Sequence, residues 1–203
     1  MRIELYLHDI PDALRFGDSV AVDTETMGLD PYRDRLCLVQ LCGGDDVCHL
    51  VHFPDAAFEA PNLRRLLVDP KTVKLFHFAR FDLAVLKYSL GVVCQPVYCT
   101  KTASRLARTF TDRHSLKDLC RELLGVELSK LEQSSDWGAP TLSEAQMKYA
   151  ATDVLYLHRI AAILDTMLLR EGRRDLAAAC FAFLPTRAEL DLKGWGQCDI
   201  FAH

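Results

Sequence analysis

Ser19-Val20-Ala21-Val22-Asp23-Thr24-Glu25-Thr26 is the stretch on which the reading of this chain turns. Val20 and Val22 are β-branched and flank Ala21, and the apolar run breaks into Asp23-Thr24-Glu25, which predicts a buried strand ending in acid. Side chains two apart on a strand share a face. Asp23 and Glu25 therefore point the same way, and carboxylates so close repel unless something positive sits between them. One reading is a divalent metal site. The other is a strand that ends in a solvated acidic turn, and Asp-x-Glu is common enough that this stretch alone favours the second.

Outward from this strand the pattern is regular. Ile3 to Leu7 alternates as a short outer strand, and Pro11 to Asp18 reads as a turn with one helical turn. Gly28 to Arg35 is a loop, Leu36 to Leu41 a second strand, Gly43-Gly44-Asp45-Asp46 a hairpin break and Val47 to Phe53 a third strand. This opening reads as an antiparallel meander. Helices are then expected at Asn62–Val68, at Ala79–Leu90 ending on Gly91, at Thr100–Phe110 and at Ser115–Leu124 before Gly125. Strands are expected at Thr72–Phe76 and Val92–Cys99, and a loop from Leu128 to Pro140. Ser143 with Gln146 forms a capping box that opens one long helix to about Arg170, and a last helix covers Arg173 to Phe183. Strands followed by alternating helices and strands argue for one mixed α/β domain over residues 1–203.

Composition narrows the function. The chain has 203 residues, 50% apolar and 26% charged, which suits a single well-cored domain. Its net charge of -4 and scattered Lys and Arg argue against a long polyanion grip. Eight cysteines without a C-x-x-C pair make a zinc cluster a poor reading, and several sit in apolar runs where free Cys acts as a small hydrophobe. The N-terminus lacks a signal-peptide core and no apolar run is long enough to span a bilayer, so a reduced, cytoplasmic protein with no membrane contact is expected.

Further along, Tyr149 and Asp153 lie four apart on the long helix and share a face beside the stripe Met147, Ala150, Val154, Leu157, Ile160 and Leu164. Asp82 lies in the first turn of another helix, where an acid complements the helix dipole. Each of these has an ordinary structural explanation alone. In order, though, Val22-Asp23-Thr24-Glu25-Thr26, His77-Phe78-Ala79-Arg80-Phe81-Asp82 and Tyr149-Ala150-Ala151-Thr152-Asp153 resemble the three motifs of DEDDy-type 3′-5′ exonucleases. Arg35-Leu36-Cys37-Leu38-Val39-Gln40-Leu41 and Ser135-Asp136-Trp137 with Leu142 and Gln146 resemble ribonuclease D, and the similarity covers about Val20 to Leu164. Two departures stand out. Phe78 occupies a position where many members of the class carry Asn, and full ribonuclease D enzymes continue into helical nucleic-acid-binding domains whereas these 203 residues match the catalytic domain. The compact length, Asp23 to Leu29 and the Thr111-Asp112-Arg113-His114 loop look most like the nanoRNase C group, whose members form rings and remove very short RNAs.

The resemblance implies a ribonuclease H-like (DnaQ-like exonuclease) fold, a mixed sheet flanked by helices. It implies two divalent cations, Mg²⁺ or Mn²⁺, held by Asp23, Glu25, Asp82 and Asp153. Asp23 would bridge them, Glu25 and Asp153 would complete the ion that activates water, and Asp82 would serve the second. Two such ions stabilise both the attacking and the leaving oxygen. Tyr149 would orient the water, since a neutral phenol is a poor base. Thr24, Leu29, His77, Arg113 and His114 are the candidate substrate contacts. Leu29 would wedge between the last two bases or fold back on the core. His77 would touch phosphate or be a buried hydrogen-bonded His. Arg113 and His114 would meet a 5′ phosphate or sit in a solvated loop. The expected activity is exonucleolytic release of nucleoside 5′-monophosphates from short RNA including dinucleotides, with longer RNA or DNA as the alternative substrate. A homo-oligomeric ring is implied, and residues 174–203, with Phe181, Phe183, Leu184, Leu190, Leu192, Trp195, Ile200 and Phe201, are expected either to form its contact or to cap the core. A catalytically silent binding domain would have lost a carboxylate, and an internally cutting nuclease would not need Tyr149.

Overall fold

Ser19–Thr26 forms strand β2 near the middle of a six-stranded sheet in the computed structural model, which describes residues 1–128 and 135–203. The other strands are β1 (Arg2–Leu7), β3 (Leu36–Cys42), β4 (Val47–His52), β5 (Val73–Phe76) and β6 (Val97–Cys99), in the order β1-β4-β3-β2-β5-β6. β2 pairs antiparallel with β3 and parallel with β5, so it joins two halves of opposite habit. The meander runs β2-β3-β4, but β1 is no part of it. After β1 the chain crosses the sheet instead of turning back, and β1 lies parallel to β4 at the edge.

Helices cover both faces. They are α1 (Pro61–Val68), α2 (Ala79–Leu90), α3 (Thr100–Ala107), α4 (Leu116–Leu119), α5 (Glu144–Leu155), α6 (Leu157–Arg170) and α7 (Arg174–Leu190). All seven residues of β3 are buried, as expected of a strand covered on both sides. Along β2, Val20 and Val22 join the core shared with α2, α3, α6 and α7, whereas Ala21 packs with Ala151 and Val154 of α5. Period-2 alternation thus aims Asp23 and Glu25 at α5. Asp9, in the β1–β2 connection, caps α1 from a distance by accepting from the N–H groups of Asn62 (2.9 Å) and Leu63 (2.8 Å). Six cysteines are buried, Cys180 is partly covered and Cys198 is exposed; all eight are free thiols.

Several elements differ from the expectations. The helix expected from Ser143 to Arg170 is two, broken at Tyr156, because α5 lies on β2, β3 and β4 while α6 lies against α3 and β5. β6 is only three residues long: Pro96 has no N–H to give the ladder, and the Gln95 N–H goes to Leu67 O. α3 ends at Ala107 rather than Phe110. Pro11 to Asp18 holds a turn but no helix. The Ser115–Leu124 helix is α4 continued by a π-helical turn, Cys120–Leu124, and Gly125 ends it at φ 68°. α7 runs past Phe183 and through Pro185 to Leu190, then into a π-helical turn at Asp191–Trp195. It buries Ala177, Phe181 and Ala188, so much of the expected tail is a helix docked on α2 and β6. The loop expected at Leu128–Pro140 falls partly outside the described residues. Among the described residues, no helix is long and apolar enough to cross a membrane.

Candidate active site

Three elements converge at the end of β2. Asp23 and Glu25 come from β2, Tyr149 and Asp153 from α5, and Asp82 from the first turn of α2. One carboxylate oxygen from each of Asp23, Glu25 and Asp153 lies within 4.8 Å of the others. Asp82 is buried, and Thr24 Oγ1 donates to its Oδ1 at 2.7 Å. Gln40, opposite Asp23 in the ladder, donates to Asp23 Oδ2 at 3.4 Å.

The start of α5 is fixed tightly, and that sets Tyr149 and Asp153. The Ser143 N–H donates to Gln146 Oε1 (2.9 Å) and the Gln146 N–H to Ser143 Oγ (3.2 Å), while Gln146 Nε2 donates to Asp136 O (3.1 Å). The Trp137 ring packs tilted against the Tyr149 ring, with centroids 6.1 Å apart, and Cys48 Sγ donates to Ala151 O at 3.4 Å, tying α5 to β4. Tyr149 hydrogen-bonds the Asp153 carboxylate.

The electrostatics follow from this crowding. Burial, then repulsion by Asp82, Asp153 and Glu25, pushes the Asp23 carboxyl well above its usual range. Burial, then Asp153 and Asp82, pushes Glu25 up to about 9. Asp82 and Asp153 rise to about 7 through burial, partly offset by the hydrogen bonds from Thr24 and Tyr149 respectively. The Tyr149 phenol is pushed up by burial and then by Asp153 and Glu25. A donor set made only of carboxylate oxygens, each repelling the others, is the environment a hard divalent cation relieves. Asp23, Glu25 and Asp153 therefore fit a divalent metal, while Asp82, held by Thr24, stands outside that group of three.

Asp23, Glu25, Tyr149 and Asp153 line a cleft of about 720 Å³. Leu29 lines it from the β2–β3 loop and is 84% exposed, so it does not fold back on the core. Thr24 reaches the cleft wall, but its hydroxyl is committed to Asp82. His77 also lines the cleft. Its Nδ1 bonds Thr100 Oγ1 at 2.9 Å, its ring bonds the His114 carbonyl, and burial followed by Lys101 pushes its pKa down to about 3. Its ring is thus neutral and anchored.

Arg113 and His114 are not among the residues lining this cleft. Arg113 faces Glu122 at 3.6 Å and its carbonyl accepts from Arg108, while His114 Nδ1 bonds Ser104 Oγ at 2.8 Å. Among the described residues the cations lining the cleft are Lys101 and Lys117, which come from two different helices and belong to no basic run in the sequence. Lys101 Nζ sits 4.3 Å from the Phe78 ring centroid. Phe78 itself is at φ 69°, a left-handed conformation that Asn adopts more readily, which rationalises Asn at this position in related motifs.

Comparison with known proteins agrees with this geometry. A model of the 3′-5′ exonuclease family matches residues 4–169. Ribonuclease D of Gluconacetobacter diazotrophicus is 38% identical over 178 residues, 88% of this chain but 45% of that protein, so the chain spans less than half the length of this relative. The chain belongs to the 3′-5′ exonuclease family, in its ribonuclease D-like branch. Within that family its fold matches NrnC of Brucella melitensis throughout. The structure of NrnC bound to pGG is 55% identical at a TM-score of 0.97, covering 100% of this chain and 99% of the other. The structure of NrnC with bound Mg²⁺ is 54% identical at a TM-score of 0.95 and covers 100% of both.

Proposed function

We propose that residues 1–203 act as one exonuclease domain that removes nucleoside 5′-monophosphates from the 3′ end of very short RNAs, dinucleotides included, using two Mg²⁺ or Mn²⁺ ions. The observation that carries this reading is one cleft lined by Asp23, Glu25, Asp153 and Tyr149 together with Lys101 and Lys117. Asp23 would ligate both ions, Glu25 and Asp153 the first and Asp82 the second. Bound there, such ions supply a hydroxide nucleophile at neutral pH and stabilise the leaving 3′-oxygen. Tyr149, held neutral by its raised pKa and bonded to Asp153, orients the attacking water rather than taking its proton. Glu25 faces the terminal 3′-hydroxyl, Leu29 packs on the last bases, and His77 shapes the wall between them.

Short substrates follow from charge. Affinity for long strands grows with each phosphate neutralised, and this chain has a net charge of -4. Lys101 and Lys117 are single cations suited to one phosphate near the site, as the 5′ phosphate of a dinucleotide would be. The similar NrnC bound to pGG supports that substrate class. Arg113 and His114, which do not line the cleft of a single chain, are left out of this reading. The exposed Trp195, Ile200 and Phe201 of the tail, next to Phe183, supply the contact of a homo-oligomer, a ring by analogy with the group.

The test is competition between a 5′-phosphorylated diribonucleotide and a twenty-nucleotide RNA or DNA in Mg²⁺, Mn²⁺ or EDTA. The dinucleotide is expected to show the higher kcat/KM, with no turnover in EDTA. A higher value for either long strand leaves a general 3′-5′ exonuclease instead.

A further inference from the structure

The loop that carries Leu29 is built around a single carboxylate. Asp34 lies at the foot of the β2–β3 loop, and its side chain is only 10% exposed. It accepts from the Asp30 N–H at 3.0 Å and from the Leu29 N–H, so it gathers the two backbone groups at the loop's turn. Arg33 closes it from outside through Nε and Nη2, both at 2.7 Å. These bonds, Arg33 first, hold the Asp34 carboxyl down at about 2, so it is ionised wherever the protein works. The Asp34 N–H in turn donates to Asp30 O at 2.7 Å. There is no space to spare: a Cβ on Gly28 would lie 2.2 Å from Asp34 Oδ2. At the loop's flank Tyr32 meets Tyr88 of α2 edge-on at 5.2 Å.

An exposed leucine on a slack loop would turn away from a wet cleft, because nothing apolar holds it there. Here the loop is closed from within, and the Leu29 backbone is itself one of the groups held. We propose that Asp34 is a positioning residue for substrate selection: it fixes Leu29 over the cleft so that the chain favours a substrate with a base on each side of that side chain. This rests on the reading above, in which Leu29 meets the terminal bases. Asp34 is not among the residues that line the cleft.

The experiment uses the full chain with Mg²⁺ and a 5′-phosphorylated diribonucleotide, and compares Asp34→Ala, Gly28→Ala, Leu29→Ala and the Asp34→Ala/Leu29→Ala double variant. Gly28→Ala keeps the carboxylate but displaces it, and so stands in if Asp34→Ala does not fold. Losing an ordered stacking contact should raise KM about tenfold in each single variant. For Asp34→Ala and Gly28→Ala, kcat and the Mg²⁺-induced rise in Tm should match the parent. The double variant should be no worse than the worse single, because both changes remove one contact. Asp34→Asn, which keeps one acceptor oxygen, should recover part of the loss. The proposal is overturned if the two losses multiply, if Asp34→Ala lowers kcat or the Mg²⁺ effect instead of raising KM, or if it leaves KM unchanged while Leu29→Ala raises it. If Leu29→Ala has no effect, or the parent does not cleave the diribonucleotide, the reading of the substrate site fails and the proposal fails with it.

Discussion

With divalent ions chelated, the folded protein must hold the half-buried carboxyl groups of Asp23, Glu25 and Asp153 together with Asp82 buried nearby, and Glu25 offers a way to measure the strain. Its pKa is about 9 in the fold against an ordinary 4.5, raised by burial and then by Asp153 and Asp82. A group with a raised folded pKa keeps a proton that the unfolded chain gives up. Its contribution is therefore fully present below about pH 4.5 and is lost as pH rises toward 9. Between pH 7 and 8.5 the loss is one proton over about 1.5 units, or about 2 kcal/mol at roughly 1.4 kcal/mol per unit. For a chain of this size that is about 4–8 °C in Tm. The window avoids His49, His52, His77 and His158, whose lowered pKa values act at lower pH and with the opposite sign. Cys42, lowered to about 7 chiefly by its bond with Cys48, also acts oppositely, so the comparison is made against Glu25→Gln, which keeps everything but the Glu25 proton. Calorimetry in EDTA should show the parent losing about 2 kcal/mol relative to Glu25→Gln across this window. Saturating Mg²⁺ should abolish the difference in slope, because a ligated carboxylate is ionised in the fold. Parallel curves for parent and variant in EDTA would refute the argument.

Other substitutions probe the rest of the site. Asp23→Ala should fold at least as stably as the parent without metal, lose the Mg²⁺-dependent rise in Tm and abolish turnover; hydrolysis within about tenfold of the parent would remove Asp23 from the metal set. Tyr149→Phe should keep Mg²⁺ affinity by calorimetry and lose about 10²–10⁴ in kcat, so an unchanged rate would end its role as the group that orients water. Deleting Cys198–His203, which spares the Arg80–Asp191 pair and the buried residues of α7, should lower the particle mass by light scattering while circular dichroism is unchanged. A constant mass would place the oligomer contact elsewhere.

The parts of the fold and site that were legible share a physical basis. The alternation in Val20-Ala21-Val22-Asp23-Thr24-Glu25 and the four-residue step from Tyr149 to Asp153 are local geometry, and both placed side chains on the correct face. The Ser143–Gln146 capping box and the glycines that stop α2 and the Cys120–Leu124 turn are equally local. What was missed depends on partners far away in the chain. Nothing in Leu155-Tyr156-Leu157 marks a break, since the helix divides only because its halves pack on different elements. The expected end at Phe183 fell short, because tertiary packing carries α7 through Pro185 to bury Ala188. Lys101 and Lys117 become a pair only when α3 and α4 meet at the cleft, and Arg113 and His114 looked available because their partners Glu122 and Ser104 are not adjacent in sequence.

The distribution of thiols makes the molecule its own reporter. Cys37, Cys42, Cys48, Cys94, Cys99 and Cys120 are buried and spread from the antiparallel half of the sheet to the Cys120–Leu124 turn, while Cys198 stands open on the tail. A thiol reagent meets Cys198 at once, but it can reach the others only when the surrounding structure opens, so each alkylation rate reads a local opening free energy. Cys48 bonds the backbone of the helix that carries Tyr149 and Asp153, so its protection should follow occupancy of the carboxylate cluster. Cys198 protection should instead follow protein concentration. One mass-spectrometric time course would separate breathing of the catalytic centre from association of subunits, with no residue changed.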